Sequence, residues 1–120
     1  MLGHQPILFH GSRYPRAIIQ SDRIELPSSG YPMISLTRDI RVANYWACLN
    51  RDNDEGAGAI FVLDRRKLQS RYRLEPFRDE AWHTGFNRSE RDEAEEIVYG
   101  RSIDSLSKLL VEVRWIRSAC

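Results

Sequence analysis

Three stretches of the chain gather residue types that can do chemistry. Near the start, Phe9-His10-Gly11-Ser12 sets an imidazole at the end of an apolar run, ahead of a glycine whose bare backbone a ligand can approach. Taken alone, it equally describes a surface histidine before a turn. Next, the two hydroxyls of Ser35-Leu36-Thr37 precede Ala43-Asn44-Tyr45-Trp46. Hydroxyls at a strand–helix junction can bond a ligand amide or ribose, and Tyr45 can stack on a flat ring. The plainer alternative is a capping threonine with core aromatics. The third stretch is Asp92-Glu93-Ala94-Glu95-Glu96-Ile97-Val98-Tyr99. On a strand, Glu93, Glu95, Ile97 and Tyr99 share one face, and Ala94, Glu96 and Val98 share the other. Two carboxylates in a row on one strand face repel each other, and glutamate is a poor strand former. Such a broken local rule marks either a functional position or a solvated acidic edge.

The elements that must position these groups are short. Pro6 to Phe9 is a strand, and Pro15 opens a small helix through Ala17, Ile18 and Ile19. Ile24 to Leu26 is a brief strand, and the turn residues from Leu26 to Pro32 make a loop. Met33 to Leu36 is a strand ending at Thr37, which caps a helix from Arg38 to Leu49 with Ile40, Ala43 and Ala47 on one face. Gly58 to Leu63 reads as a buried strand followed by a short polar stretch, Asp64 to Leu68. Residues 69–92 carry no period but hold Trp82 and Phe86. A strand from Glu93, a single helical turn from Asp104 to Leu109, and an alternating strand from Leu110 to Trp115 close the pattern. Five or six short strands with two or three small helices make an α+β domain rather than a βαβ repeat.

Length and composition narrow the function classes. The 120 residues make one domain, 1–120, with 42% hydrophobic and 29% charged residues, as in ordinary globular proteins. Eighteen basic against 17 acidic residues give +1, which offers no polyelectrolyte to a nucleic acid or membrane surface, although a local basic groove stays open. No apolar run approaches the roughly 20 residues of a membrane span, and a secretion-type leader is missing from the first residues. Cys48 and Cys120 are too few for a disulfide framework or a zinc site, so a cytoplasmic location is expected and no metal.

The order of the three stretches carries more than any one of them. Phe9-His10-Gly11-Ser12-Arg13, then Ala43-Asn44-Tyr45, then Glu95-Glu96-Ile97-Val98-Tyr99 resembles the catalytic domain of the poly(ADP-ribose) polymerase and diphtheria-toxin-like ADP-ribosyltransferases. Ser107 to Val113 also looks like that family's closing segment. The resemblance implies a compact split β-sheet core and NAD+ as co-substrate. His10 would bond an adenosine ribose hydroxyl, Gly11 would hold the nicotinamide amide, and Ser12 would line the same cradle. Tyr45 would stack on the nicotinamide ring, and Glu95 would face the nicotinamide ribose. Two departures point toward the arginine-directed branch. Ser35 stands where the polymerases carry a tyrosine, and Glu93-Ala94-Glu95 is similar to that branch's Glu-x-Glu, whereas His10 replaces its first-strand arginine.

Such a site would break the nicotinamide–ribose bond, building oxocarbenium-like charge on the sugar that a fixed carboxylate stabilises. The resemblance therefore implies a mono-ADP-ribosyltransferase with Glu95, Glu93 and His10 catalytic. Glu93, Trp82 and Phe86 would meet the acceptor, a protein sooner than a nucleic acid. The small size leaves little room for polymer elongation and suits an effector acting in a host cytosol. The alternatives are an NAD+ glycohydrolase, a non-catalytic nucleotide-binding or interaction protein on the same fold, and a structural component with an acidic edge.

Overall fold

The apolar run at the start becomes β1 (Ile7–Ser12), the strand around which the remaining elements are arranged. The computed structural model describes residues 6–27, 32–48, 58–76 and 95–116. It is an α+β fold with a six-stranded antiparallel sheet in the order β5-β6-β3-β1-β4-β8 and a separate two-stranded ribbon, β2-β7. In chain order these are β2 (Arg23–Ile24), β3 (Met33–Thr37), β4 (Gly58–Asp64), β5 (Glu75–Pro76), β6 (Glu95–Tyr99), β7 (Ile103–Asp104) and β8 (Leu110–Ile116). The helices are α1 (Pro15–Ser21), α2 (Ile40–Cys48) and α3 (Arg65–Arg71).

Period-two alternation gives the sheet two apolar faces. Leu8, Ile34, Leu36, Phe61, Leu63 and Val98 face the larger core, which Ile24, Leu68, Tyr72, Ile103, Leu106 and Leu109 complete. Phe9, Ile60 and Val62 face the other way and are covered by Ala43 and Ala47 of α2. That helix lies so close that a Cβ on Gly11 would collide with the backbone carbonyl of Ala43, and one on Gly58 with that of Ala47. Two glycines below and two alanines above are what the approach requires.

α2 starts two residues later than the sequence pattern suggests, because side chains take the first amides. Thr37 Oγ1 accepts from the Asp39 amide at 3.0 Å, and Asp39 accepts from the Arg41 amide at 2.9 Å. The Arg41 guanidinium on the same carboxylate holds Asp39 below the usual carboxylate range. The polar stretch after β4 is a true helix, α3, whose first turn is capped by Asp64 accepting from the Lys67 amide at 3.1 Å. The turn before β8 is a 3₁₀ turn at Leu106–Lys108 entered through Ser105 in the left-handed region, not through Asp104, which pairs in β7. Cys48 is disulfide-bonded, so the cysteine count, read above as too low for a disulfide framework, gives no argument for a reducing compartment. Among the described residues, no helix is long and apolar enough to cross a membrane.

One joint fixes the wall opposite the sheet. Asp22 ends α1 in the left-handed conformation, and its carboxylate accepts from the Ser107 amide at 2.8 Å and the Ser107 hydroxyl at 3.2 Å. Its own carbonyl accepts from the Leu106 amide at 2.9 Å. The α1–β2 corner is thereby tied to the segment leading into β8.

Gly58→Ala separates this packing from any binding role, since Gly58 lies away from the cleft described below. It is expected to lower stability by about 1–3 kcal/mol, as overpacked interiors do. A urea titration against the wild type measures it, and an unchanged midpoint would show that α2 shifts freely.

Candidate functional site

β1 pairs with β4 along its whole length, from Ile7↔Asp64 to Ser12↔Ala59. With β3 it shares a single register pair, Phe9↔Thr37. Beyond Phe9 the two strands part, and a cleft of about 800 Å³ opens between the sheet, the α1–β2 wall and the flank of α2. That volume is in the range of small-molecule and cofactor sites, roughly 300–1,000 Å³.

His10 occupies the parting. Its Nδ1 lies 3.0 Å from the Ser35 carbonyl oxygen, which can only accept, so Nδ1 carries the proton in this bond. Burial pushes the imidazole pKa below its ordinary value of 6.5, and the Ser35 bond opposes this only in part. The ring is therefore the neutral Nδ1–H tautomer, which leaves Nε2 as a hydrogen-bond acceptor suited to a hydroxyl donor. It is not the surface histidine that its turn context allows.

Of the residues the sequence singled out, His10, Gly11, Ser12, Ser35 and Glu95 line this one cleft. They come from β1, β3 and β6, separated by up to 85 positions. Glu95 is the first residue of β6 and stands opposite Thr37, while Ser35 stands opposite Ile97. Cross-strand partners share a face, so Glu95, Thr37 and Ser35 project to the α2 side. Ser35 and Glu95 are diagonal neighbours, roughly 7–8 Å apart along the backbone. The Ser12 hydroxyl oxygen accepts from the Tyr14 amide at 2.9 Å, shaping the turn into α1 and keeping its own proton available to donate.

Gly11 differs from its sequence reading on one side. The space its missing side chain leaves is taken by the Ala43 carbonyl of α2, so it is the helix that makes a glycine necessary there. Tyr45 is on α2 as expected but does not line the cleft; it meets Trp46 edge-on with ring centroids 5.1 Å apart. Trp46 lines the cleft instead, together with Val42. The two are four residues apart on one helical face, and Tyr45 is turned about 100° away, a distinction the 3.6-residue period contains. Glu93, Trp82 and Phe86 lie outside the described residues.

The lining adds groups the sequence did not single out. Arg23 sits at the far wall, ion-paired to Asp104 at 3.1 Å, and Ile18, Ile24, Met33 and Ile34 make the interior largely apolar. Among the described residues, no cluster of three or more histidine, cysteine or acidic side chains is placed to hold a metal ion. Comparisons with protein-family models, curated proteins and solved structures find no match to this chain.

The His10 assignment has a pH signature. A folded pKa below the unfolded 6.5 means that the unfolded chain binds more protons between the two values. Stability from this group is complete above about pH 6.5 and falls as pH drops toward the folded pKa, below which it levels off. Imidazole ¹⁵N NMR, assigned against His10→Asn, is expected to show a pKa under 6.5 and the Nδ1–H tautomer. A pKa at or above 6.5 would contradict the effect of burial, and an Nε2–H tautomer would remove the acceptor role of Nε2.

Proposed function

We propose that this chain is a small NAD+-dependent mono-ADP-ribosyltransferase, with the sheet parted between β1 and β3 as the split core of that superfamily. The observation that carries the reading is the convergence of His10, Gly11, Ser12, Ser35 and Glu95 on one cleft. Two of the motifs matched by their order in the chain thus contribute their site residues to one cleft, with Ser35 between them, and this supports the reading.

The chemistry follows from the groups present. In NAD+ the nicotinamide ring is cationic; when the C–N bond to ribose breaks, the electron pair goes to the ring and nicotinamide leaves neutral. No general acid is required for that departure. Positive charge develops on the ribose, and a carboxylate fixed at Glu95 stabilises it more in the transition state than in the ground state. His10 Nε2 accepts a hydrogen bond from an adenosine ribose hydroxyl, the neutral tautomer being the form that can do so. An acceptor nucleophile then bonds the sugar carbon and gives up its proton. Glu93, two residues before Glu95, is proposed to orient or deprotonate that acceptor, a protein side chain before a nucleic-acid base.

Glu95→Gln keeps the size and removes the charge. It is expected to lower nicotinamide release and ADP-ribosyl transfer together by on the order of 10²-fold or more. Incubating isotope-labelled NAD+ with cell lysate, followed by mass spectrometry, reads both products. Full activity in this variant would end the catalytic assignment, and nicotinamide release without labelled acceptor would make the enzyme a glycohydrolase.

The aromatic contact is tested separately with a benzamide mimic of nicotinamide. Because Trp46 rather than Tyr45 lines the cleft, Trp46→Ala is expected to weaken calorimetric binding by roughly 1–3 kcal/mol, the scale of base–aromatic stacking. A loss confined to Tyr45→Ala would return the stacking role to Tyr45.

A further inference from the structure

Glu96 takes no part in the reaction described, yet among the described residues it is the one buried acidic group, its side chain 7% exposed. Each carboxylate oxygen is occupied by a different guanidinium. Arg38 donates to Oε2 from Nη2 at 2.6 Å and Nε at 2.8 Å. Arg65 donates to Oε1 from Nη2 at 3.0 Å and Nε at 3.2 Å. The two arginines belong to different corners of the fold: Arg38 follows β3, and Arg65 opens α3 directly after β4. The clasp therefore binds the start of β6 to two separate chain segments.

We propose that the Arg38–Glu96–Arg65 clasp is a positioning device that holds the Glu95 carboxylate in the cleft, an inference that rests on the ADP-ribosyl-transfer reading. Glu95 is the first residue of β6, directly beside the clamped Glu96. Side chains alternate, so clamping the second residue on one face forces the first to stand on the other. A one-residue slip would exchange them, turning Glu95 toward the larger core and breaking both ion pairs. An apolar residue would hold the strand against the core with less desolvation, as Val98 does two positions later. What it would lack is direction, which two planar forks on one carboxylate supply. Glu96 and both arginines thus act through Glu95 and do not touch the substrate.

Steady-state nicotinamide release by the full chain tests this, using Glu96→Gln and Arg38→Gln, with Val98→Ala as a control for lost stability alone. The clasp variants are expected to lose kcat by about 10- to 100-fold, the scale of a slightly misplaced reacting group, with KM for NAD+ within about threefold of wild type. Val98→Ala is expected to melt earlier yet keep its kcat, and Arg38→Lys to recover part of the activity lost in Arg38→Gln. Should Glu96→Gln fail to fold, Arg38→Gln carries the test, because its guanidinium is the more exposed of the two. Wild-type kcat in the clasp variants, or an equal loss in Val98→Ala, would overturn the positioning role and leave the transferase reading standing. Absence of nicotinamide release from the wild type would overturn both.

Discussion

Two neighbouring strands that part inside a sheet leave amides and carbonyls that had been due to bond each other. At the cleft in this protein one such carbonyl, that of Ser35, is bonded by a side chain instead of a strand. A buried carbonyl without a donor loses roughly 1–3 kcal/mol, enough to favour closing the sheet over keeping it open. His10 supplies the donor from the strand that has moved away, so the opening is bridged without being filled. The same bond sets the tautomer, and the tautomer decides what the free nitrogen can recognise. Support of the cleft and its binding chemistry therefore share a single 3.0 Å contact.

The sheet on either side of that opening must be stiff for the gap to keep its shape, and it is stiffened by different means. On the β1–β4 side the means is packing: α2 sits close enough that Gly11 and Gly58 cannot carry side chains, with Ala43 and Ala47 above them. On the β3–β6 side it is electrostatic, through Glu96 and its two arginines. The two differ in how they fail. Overpacking at a glycine costs about 1–3 kcal/mol and shifts a helix, whereas removing Glu96 leaves two partly solvated guanidiniums without their shared anion. The electrostatic device is the one placed beside Glu95.

How much of this was legible in the sequence depended on whether a signal was local. Strand alternation placed Glu95, Ile97 and Tyr99 on one face and Glu96 and Val98 on the other, and the β6 register keeps that division. Pro15 marked the first turn of α1, and the apolar run from Gly58 marked β4. α3 was missed because only Leu68 within it is buried, too few apolar residues for a period to emerge, although Asp64 as a cap was there to be read. The offset between Tyr45 and Trp46 was present in the helical period but needed the position of α2 over β1 to say which flank met the cleft. The partners of Glu96 were not legible at all. Arg38 and Arg65 lie 58 and 31 residues away, and only the β5-β6-β3-β1-β4 order brings their corners together.

Gly11 shows how a motif divides between structure and function. Read as sequence, a glycine after His10 is an invitation for a ligand to approach the backbone. In the fold that same freedom is consumed on one face by the Ala43 carbonyl, so a glycine would be required here if no ligand ever bound. It follows that His-Gly-Ser is weaker evidence for a nucleotide than its three letters suggest. Phe9 and Ser12 are likewise accounted for by packing and by the turn into α1. The weight of the proposed function moves from that motif to the other residues that line the cleft. Glu95 is the one the proposal depends on most, because it lines the cleft while its neighbour Glu96 turns to the opposite face. In the proposed reaction a carboxylate at that position meets the positive charge that builds on the sugar, and that is the step on which the proposal stands or falls.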